Sequence, residues 1–358
     1  MRLFFLTGIG FLLIVCGGCT RVNAVEDLKL IQYLGYDLED DEIRGSAAYS
    51  VYYNIPKEAP IELLTANAIT SHGIFTTFTK QSSSPIEIGK TRVLLMGEEF
   101  SQKNLSDLIG TLVRDPIIGN NAKVAYSNQE ASEVLDITMK YPPFYFSDVI
   151  EQNMESGNTP KTNIHLVVNQ YYGEGQDVFL PRIKTNEKQQ ILMDGLGIYK
   201  GDKLTMQLED QESFLFKIMK DKQISGTYEF VTDENEKIFF KVQYGNRKST
   251  FIRHQDKIKI SYDLDLFILL KDYPKSNDLA NKNDAALFAK KIEYEISTKI
   301  EKLLQAFKDK KVDPLGIGLL VKSEQRDWTE SNFYDEEYPS IDFDIRTNVK
   351  FLQTGVGR

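Results

Sequence analysis

The chain has 358 residues, of which 41% are hydrophobic and 27% charged, a balance that excludes an intrinsically disordered protein. This length is sufficient for two or three ordinary domains. Because 43 Lys and Arg residues face 52 Asp and Glu residues, the formal net charge of −9 argues against a general nucleic-acid binder and a polybasic membrane-surface protein.

The N-terminus has the pattern of a bacterial lipoprotein signal peptide. Arg2 precedes an apolar run over residues 3–15, and small residues then lead to Cys19. As a helix this run would reach only about 20 Å, short of a hydrocarbon core of roughly 30 Å, so a transmembrane span is the weaker interpretation. The other cysteine, Cys16, would place a valine at the cleavage site. We therefore expect removal of residues 1–18 and lipidation of Cys19, with acyl chains such as palmitate as the anchor.

The first half of the mature chain alternates between predicted strands and helices. Residues 93–96 form a continuous apolar run ended by Gly97, which suits a buried strand. Residues 60–71 are predicted as a helix, because a proline starts the segment and Ile61, Leu64 and Ile69 fall near one face. Further strands are predicted at 43–54, 123–126, 164–168 and 178–182, and further helices at 105–113, 130–137 and 147–154.

A polar segment at 184–190 marks the expected domain boundary, since a new apolar pattern begins at Ile191. We expect an N-terminal region at 19–190, with room for two subdomains, and a C-terminal region at 191–358. The second region is predicted to hold a hairpin at 195–208, a helix at 211–220, antiparallel strands at 227–231, 238–244 and 258–270, a long helix at 284–308 and a final strand at 340–351. The long helix has an apolar stripe that includes Leu287 and Ile292. The predicted fold class is α+β, with mixed and antiparallel sheets each packed with helices.

Motifs for catalysis, metals or cofactors are weak. His72, His165 and His254 lie far apart without a second ligand at metal spacing, so we predict no metal site and no cofactor. The glycines of 195–201 lead into a predicted strand, whereas pyrophosphate binding needs a helix there. Carboxylates such as Asp263 and Asp265 could serve an exported hydrolase, but their alternation with leucines fits the solvated face of a strand.

Residues 92–116 combine a buried strand, an acidic turn and a helix in one compact unit. We predict that this unit docks a partner through Glu98, Glu99, Arg114 and Asp115. The alternative is structural, because Arg114 and Asp115 could pair locally and cap the end of the helix.

Short motifs occur in a fixed order over nearly the whole mature chain. They are Cys19, Leu34-Gly35-Tyr36-Asp37, Val93-Leu94-Leu95-Met96-Gly97-Glu98-Glu99, Leu112-Val113-Arg114-Asp115-Pro116, Phe179-Leu180-Pro181, the run from Gly195 to Leu204, Asp313-Pro314-Leu315-Gly316-Ile317-Gly318, Trp328 and Thr354-Gly355. Their order and spacing resemble the Ger(x)C lipoproteins, the C subunits of spore germination nutrient receptors. Two positions depart from that family, Cys16 in place of an aliphatic lipobox residue and Thr20 after Cys19.

The resemblance implies a lipid-anchored, non-enzymatic receptor subunit on the outer face of the spore inner membrane. Its partners would be the A-type and B-type polytopic subunits, and its fold would comprise three α+β domains. The alternative function is a solute-binding lipoprotein of an import system, which predicts two similar lobes around a hinged cleft.

Overall fold

The structure is a computed structural model and describes residues 27–40, 42–50, 61–114, 118–119, 121–232, 234–254, 257–274 and 279–353. Its strands are β1 (Lys29–Glu39), β2 (Glu42–Ser50), β3 (Ile61–Ala68), β4 (Ile86–Glu87), β5 (Val93–Met96), β6 (Lys123–Ser127), β7 (Phe179–Thr185), β8 (Ile191–Lys200), β9 (Lys203–Leu208), β10 (Gly226–Val231), β11 (Lys237–His254), β12 (Lys257–Asp272) and β13 (Asp342–Gln353). Its helices are α1 (Gly73–Gln81), α2 (Glu98–Lys103), α3 (Leu105–Arg114), α4 (Ala131–Thr138), α5 (Tyr145–Ser156), α6 (Ile164–Tyr172), α7 (Asp210–Lys220), α8 (Lys282–Asp309), α9 (Ile317–Glu324) and α10, which joins Glu330–Asn332, the π-helical turn Phe333–Glu337 and Tyr338–Ser340. Two sheets packed with helices confirm the predicted α+β class.

The first sheet has nine strands in the order β3-β2-β1-β5-β6-β7-β8-β9, with β4 beside β1. Its centre is parallel, and antiparallel strands lie at both edges. Helices α4 and α5 pack on one face, against Tyr33 and Leu95, while α1, α2, α3 and α6 pack on the other, against Leu94 and Met96. All four residues of β5 are fully buried, which confirms the buried strand predicted from its apolar run.

The second sheet has the order β10-β11-β12-β13 and is antiparallel except for β13, which runs parallel to β12. Leu264 and Leu266 of β12 face the core beneath α8. On the opposite face Asp263 pairs with Arg346 (2.7 Å), as expected for the solvated side of a half-buried strand. The antiparallel strands and the final strand were predicted, although β11 continues well beyond residue 244 to His254.

Helix α7 lies between the two sheets. Every residue from Ser213 to Met219 is buried, because the helix packs on β8 and β9 of the first sheet and on β10 and α8 of the second. A helix that is apolar nearly all round needs neighbours on every side. The helix predicted at 211–220 is therefore confirmed and belongs to both sheets.

The helix predicted at 60–71 is wrong. Residues Ile61–Ala68 form β3, an edge strand that pairs antiparallel with β2, and residue 60 lies outside the described residues. The apolar spacing was misleading because Ile69, assigned to the buried helical face, is 82% exposed. Pairing with β2 satisfies the backbone hydrogen bonds of this segment, and local periodicity cannot report such a pairing.

The strand predicted at 164–168 is also wrong, because Ile164–Tyr172 forms α6. The Asn163 side chain accepts the Leu166 N–H (3.0 Å) and caps the helix. Ile164 and Val167 are buried at helical spacing. A short apolar run does not distinguish a buried strand from a buried helix, and here the cap decides.

The long helix α8 is confirmed, but Leu287 does not belong to its buried stripe, since it is 71% exposed while Ile292 is fully buried. Described residues show two unlike sheets rather than two similar lobes. The division at 190/191 and the three domains stay predictions. Strands β7 and β8, on either side of residue 190, pair within one sheet.

Candidate functional site

Groups with catalytic or metal-binding chemistry do not gather in the part of the chain that the structure describes. No group of three or more His, Cys, Asp or Glu side chains there could hold a metal ion. His72 and His165 are exposed, and the side chain of His254 lies outside the described residues. None of the described helices is long and apolar enough to cross a membrane.

The most elaborate polar arrangement joins the two sheets. We call it the inter-sheet contact and define it by Asp177, Lys200, Asp313 and Tyr334. The Asp313 N–H donates to Asp177 Oδ2 (2.6 Å), and the Asp177 N–H donates to the Asp313 carbonyl oxygen (2.9 Å). Lys200 Nζ lies 3.2 Å from the same Asp177 oxygen and 3.8 Å from the centre of the Tyr334 ring. The loop before β7 and the loop after α8 therefore hold each other.

The Asp313 carboxylate is fully buried and caps α9. Its oxygens accept the N–H groups of Gly316 (2.9 Å), Ile317 (2.9 Å) and Gly318 (2.7 Å). These N–H groups have no partner within the helix, so a carboxylate three residues upstream supplies it. Gly318 also touches Gly175, where a Cβ would lie only 2.5 Å from the Gly318 backbone. The two loops thus meet backbone to backbone.

Burial shifts the ionisation of these groups. It raises the pKa of the Asp313 carboxyl to about 6, because lost solvation outweighs the N–H bonds from α9. Burial also raises the pKa of Asp177, although Lys200 opposes the shift. It lowers the pKa of Lys220, whose Nζ donates to both carbonyls of the 314–315 turn (2.9 and 3.2 Å). The two aspartates of the contact are therefore buried, whereas Lys200, with its side chain 40% exposed, contributes its positive charge from the surface.

Lys217 makes a second polar contact, between α7 and α5. It projects from α7 to the C-terminal end of α5, where its Nζ donates to the carbonyls of Met154 (2.9 Å) and Gly157 (2.7 Å). A cation is favourable there, because the last carbonyls of a helix lack partners and carry negative partial charge. Burial lowers the pKa of Lys217 to about 8.

Asp37 makes a similar helix-capping contact within the first sheet and its helices. It lies near the end of β1, and its carboxylate accepts the N–H groups of Ala131 (2.6 Å) and Ser132 (2.9 Å) at the start of α4. A Cβ at Gly97 would overlap this carboxylate, so only glycine leaves room for it. The motif residues Asp37 and Gly97, far apart in sequence, therefore meet in one structural contact.

Sequence reasoning did not single out Asp177 or Lys217. Lys217 carried a usable signal, since a lysine flanked by Phe216 and Ile218 in a helix that is apolar nearly all round needs a buried partner. Asp177 carried none, because its partner Asp313 is 136 residues away.

The predicted docking residues are only partly described. Glu98 and Glu99 are exposed in the first turn of α2, directly after Gly97. Arg114 ends α3, but its side chain lies outside the described residues, as do Asp115, Cys19 and residues 1–18. The structure thus places the two glutamates on one surface beside the Asp37 contact.

Comparison with known proteins agrees with the motif order. Residues 22–185 match the family described as "Spore germination protein N-terminal domain", and residues 194–355 match "Spore germination B3/ GerAC like, C-terminal". The spore germination protein GerQC of Bacillus cereus is 28% identical over 354 residues, covering 95% of each chain. The crystal structure of the GerBC protein shares the fold, with a TM-score of 0.59 at 15% identity over 89% of this chain and 97% of that one. With two family matches that together span most of its length, this chain belongs to the GerAC-like family of spore germination proteins.

Proposed function

We propose that this protein is a lipid-anchored, non-enzymatic subunit of a spore germination nutrient receptor. In this proposal Cys19 holds it on the outer face of the spore inner membrane, beside the A-type and B-type polytopic subunits. The observation that carries the proposal is that residues of the family motifs hold the folded body together. Asp37, Gly97 and Asp313 all take part in contacts between segments that are distant in sequence or that cap a helix. Membership in a family of spore germination proteins supports the same role.

Affinity purification tests this function. A tagged copy is purified from detergent-solubilised inner membranes of spores, and the accompanying proteins are identified by mass spectrometry. Recovery of two polytopic germination-receptor subunits is expected. Recovery of an importer permease would instead favour the solute-binding alternative, and recovery of the tagged protein alone would contradict both.

Replacing Cys19 with Ala is expected to abolish palmitate labelling and to move the protein out of the membrane fraction. The thiol of Cys19 is the proposed acyl acceptor, and two buried acyl chains contribute about 0.8 kcal/mol per methylene to anchoring. Cys16→Ala is the matched control and should keep both the label and the membrane association. Full labelling of the Cys19 variant would refute the anchor.

We also propose that Glu98 and Glu99 contribute to partner docking. Both carboxylates are exposed on α2, which packs on β1 and β9 and buries the ring of Phe100 against Tyr36, so they lie on a helix that is held to the sheet. The dipole of α2 stabilises the negative charge of both glutamates in its first turn. Because both side chains are exposed, their carboxylates are available to a cationic partner surface.

The double replacement Glu98→Lys and Glu99→Lys is expected to reduce co-purification of the polytopic subunits by roughly tenfold, as for a few interfacial charge pairs lost. Arg114→Glu extends the same test to the end of α3. Glu133→Lys, at an exposed first-turn position of α4, carries a similar helix-dipole cost on another surface and should leave recovery unchanged. Normal recovery with the double variant would exclude these glutamates.

A further inference from the structure

The start of β1 fixes which end of the first sheet lies nearest the N-terminal segment. The described chain begins at Asp27, eight residues after Cys19, and β1 begins at Lys29. An extended chain spans at most about 3.6 Å per residue, so Asp27 lies within about 29 Å of residue 19. If Cys19 is acylated, as proposed above, this end of the sheet stays close to the membrane.

Several cationic residues lie at this end, because β4 and β5 run parallel to β1 and β6 runs parallel to β5. The Lys29 N–H donates to the carbonyl of Pro85 (2.9 Å), and the Lys123 N–H donates to that of Arg92 (2.7 Å). Helix α1 ends close to this end of the sheet, at Lys80 and Gln81. We define the N-terminal face by Lys29, Lys80, Lys90, Arg92 and Lys123.

The cations of the N-terminal face are largely uncompensated. Lys80, Lys90 and Arg92 are exposed, and none forms an ion pair with a carboxylate in the described ranges. Arg92 instead lies over an aromatic ring, and Lys123 is 3.9 Å from a glutamate. The carboxylates at this end are Glu151, beside Lys123, Glu62, which accepts the hydroxyl of Tyr49 (2.6 Å), and the exposed Asp27 and Glu87.

Exposed apolar side chains accompany these cations. Helix α6 starts here, since the Ile164 N–H donates to the carbonyl of Ala122 (2.9 Å), and its Leu166 is 41% exposed. Val113, near the end of the neighbouring helix α3, is 49% exposed. Cations interspersed with exposed apolar groups are typical of surfaces that rest on lipid headgroups.

We propose that the N-terminal face rests on the membrane and contacts anionic lipid headgroups through Lys80, Lys90 and Arg92. The tether brings this end within reach, and its unpaired cations are complementary to an anionic surface. The protein as a whole carries a net charge of −9, so an anionic membrane repels orientations that present its acidic remainder. The lipid anchor supplies the affinity, and the cations select the orientation.

Site-specific labelling tests the orientation. The chain holds only two cysteines, Cys16 in the proposed signal peptide and Cys19 at the proposed acylation site, so an introduced cysteine is labelled uniquely in the lipidated protein. Ser83→Cys, in the exposed loop after α1, and Gln305→Cys, on the exposed side of α8, are each made in the lipidated full-length protein. Each label is read by its quenching by a headgroup-borne quencher in vesicles of phosphatidylglycerol and phosphatidylcholine.

Quenching is expected to be several-fold stronger at position 83 than at position 305. Replacing Lys80, Lys90 and Arg92 with Gln should lower the quenching at position 83 in the anionic vesicles and leave it unchanged in pure phosphatidylcholine. Equal quenching at both positions, or no effect of the Gln replacements in anionic vesicles, would overturn the proposed orientation. Failure of the protein to float with either vesicle would overturn the anchoring itself, a result distinct from the other two.

Discussion

Replacing Asp313 with Ala is expected to lower the free energy of unfolding by about 3–5 kcal/mol, because buried N–H groups lose their acceptor and a fully buried side chain is truncated. The variant leaves the N–H groups of Ile317 and Gly318 without this acceptor, while the Gly316 N–H keeps the Asp313 carbonyl oxygen (3.2 Å). It also removes one of the two carboxylates that interact favourably with Lys220, beside the inter-sheet contact. Urea unfolding followed by far-UV circular dichroism measures the loss. The fluorescence of Trp328, the only tryptophan, reports locally because its ring packs on Phe333.

Asp263→Ala is the matched control for the loss of an aspartate. Its ion pair with Arg346 lies on the open face of the second sheet, so its removal should cost at most about 1 kcal/mol. If the variants of Asp313 and Asp263 lose equal stability, the buried contact contributes nothing of its own.

The pH dependence separates charge from shape at the same position. Folding raises the pKa of Asp313 from 3.8 to about 6, so the folded state binds this proton more tightly than the unfolded chain. Stability is therefore greatest below the unfolded pKa and is lost as the pH rises through about 6. The natural protein should gain stability from pH 7 to pH 5. In Asp313→Asn the gain should shrink without vanishing, since burial also raises the pKa of Asp177 and Asp221. An unchanged slope in that variant would mean that Asp313 does not titrate.

The elements that were predicted correctly from the sequence are those with a long or continuous pattern of apolar residues. The buried strand β5 is apolar at every position, and α8 repeats its apolar residues over several turns. Segments with short patterns failed. Edge strand β3 has mixed exposure, and α6 opens on five residues that suit a strand or a helix equally. In both cases a partner distant in sequence, or a capping residue, decided the structure.

The polar contacts were beyond the reach of sequence reasoning for a related reason. The sequence identifies the motif at 313–318, but the structural role of this motif depends on Asp177. No local sequence pattern connects Asp177 to the motif. Asp37 likewise meets Ala131 across 94 residues. Hydrogen bonds between such positions arise only once the sheets are assembled, so a single sequence indicates that these residues matter without indicating what they contact.

Gly195 and Gly201 provide a direct comparison of backbone crowding, because both lie in the β8–β9 hairpin region with positive φ, +95° and +57°. At Gly195 a Cβ would overlap the carbonyl oxygen of Leu208, whereas at Gly201 the space within 4 Å is empty. This packing explains the glycine at 195 without any nucleotide. Leu208 ends β9 next to the capping box of α7, where the Glu209 N–H donates to Glu212 (3.0 Å). A side chain at position 195 would therefore displace the start of α7, the helix that packs on both sheets.

Replacing Gly195 with Ala is expected to cost roughly 3–5 kcal/mol of unfolding free energy, since the added methyl meets backbone that no rotamer change can relieve. Gly201→Ala should cost only about 1–2 kcal/mol, the strain of a left-handed L-residue alone. Urea unfolding of both variants, followed by circular dichroism, measures the difference. The displaced end of β9 must move the start of α7, so the Gly195 variant should also lose cooperativity between the two sheets, with the Trp328 and circular dichroism transitions separating. Equal costs at both glycines would mean that the hairpin relaxes without moving α7, and that the two sheets are coupled chiefly through Asp313 and Lys217.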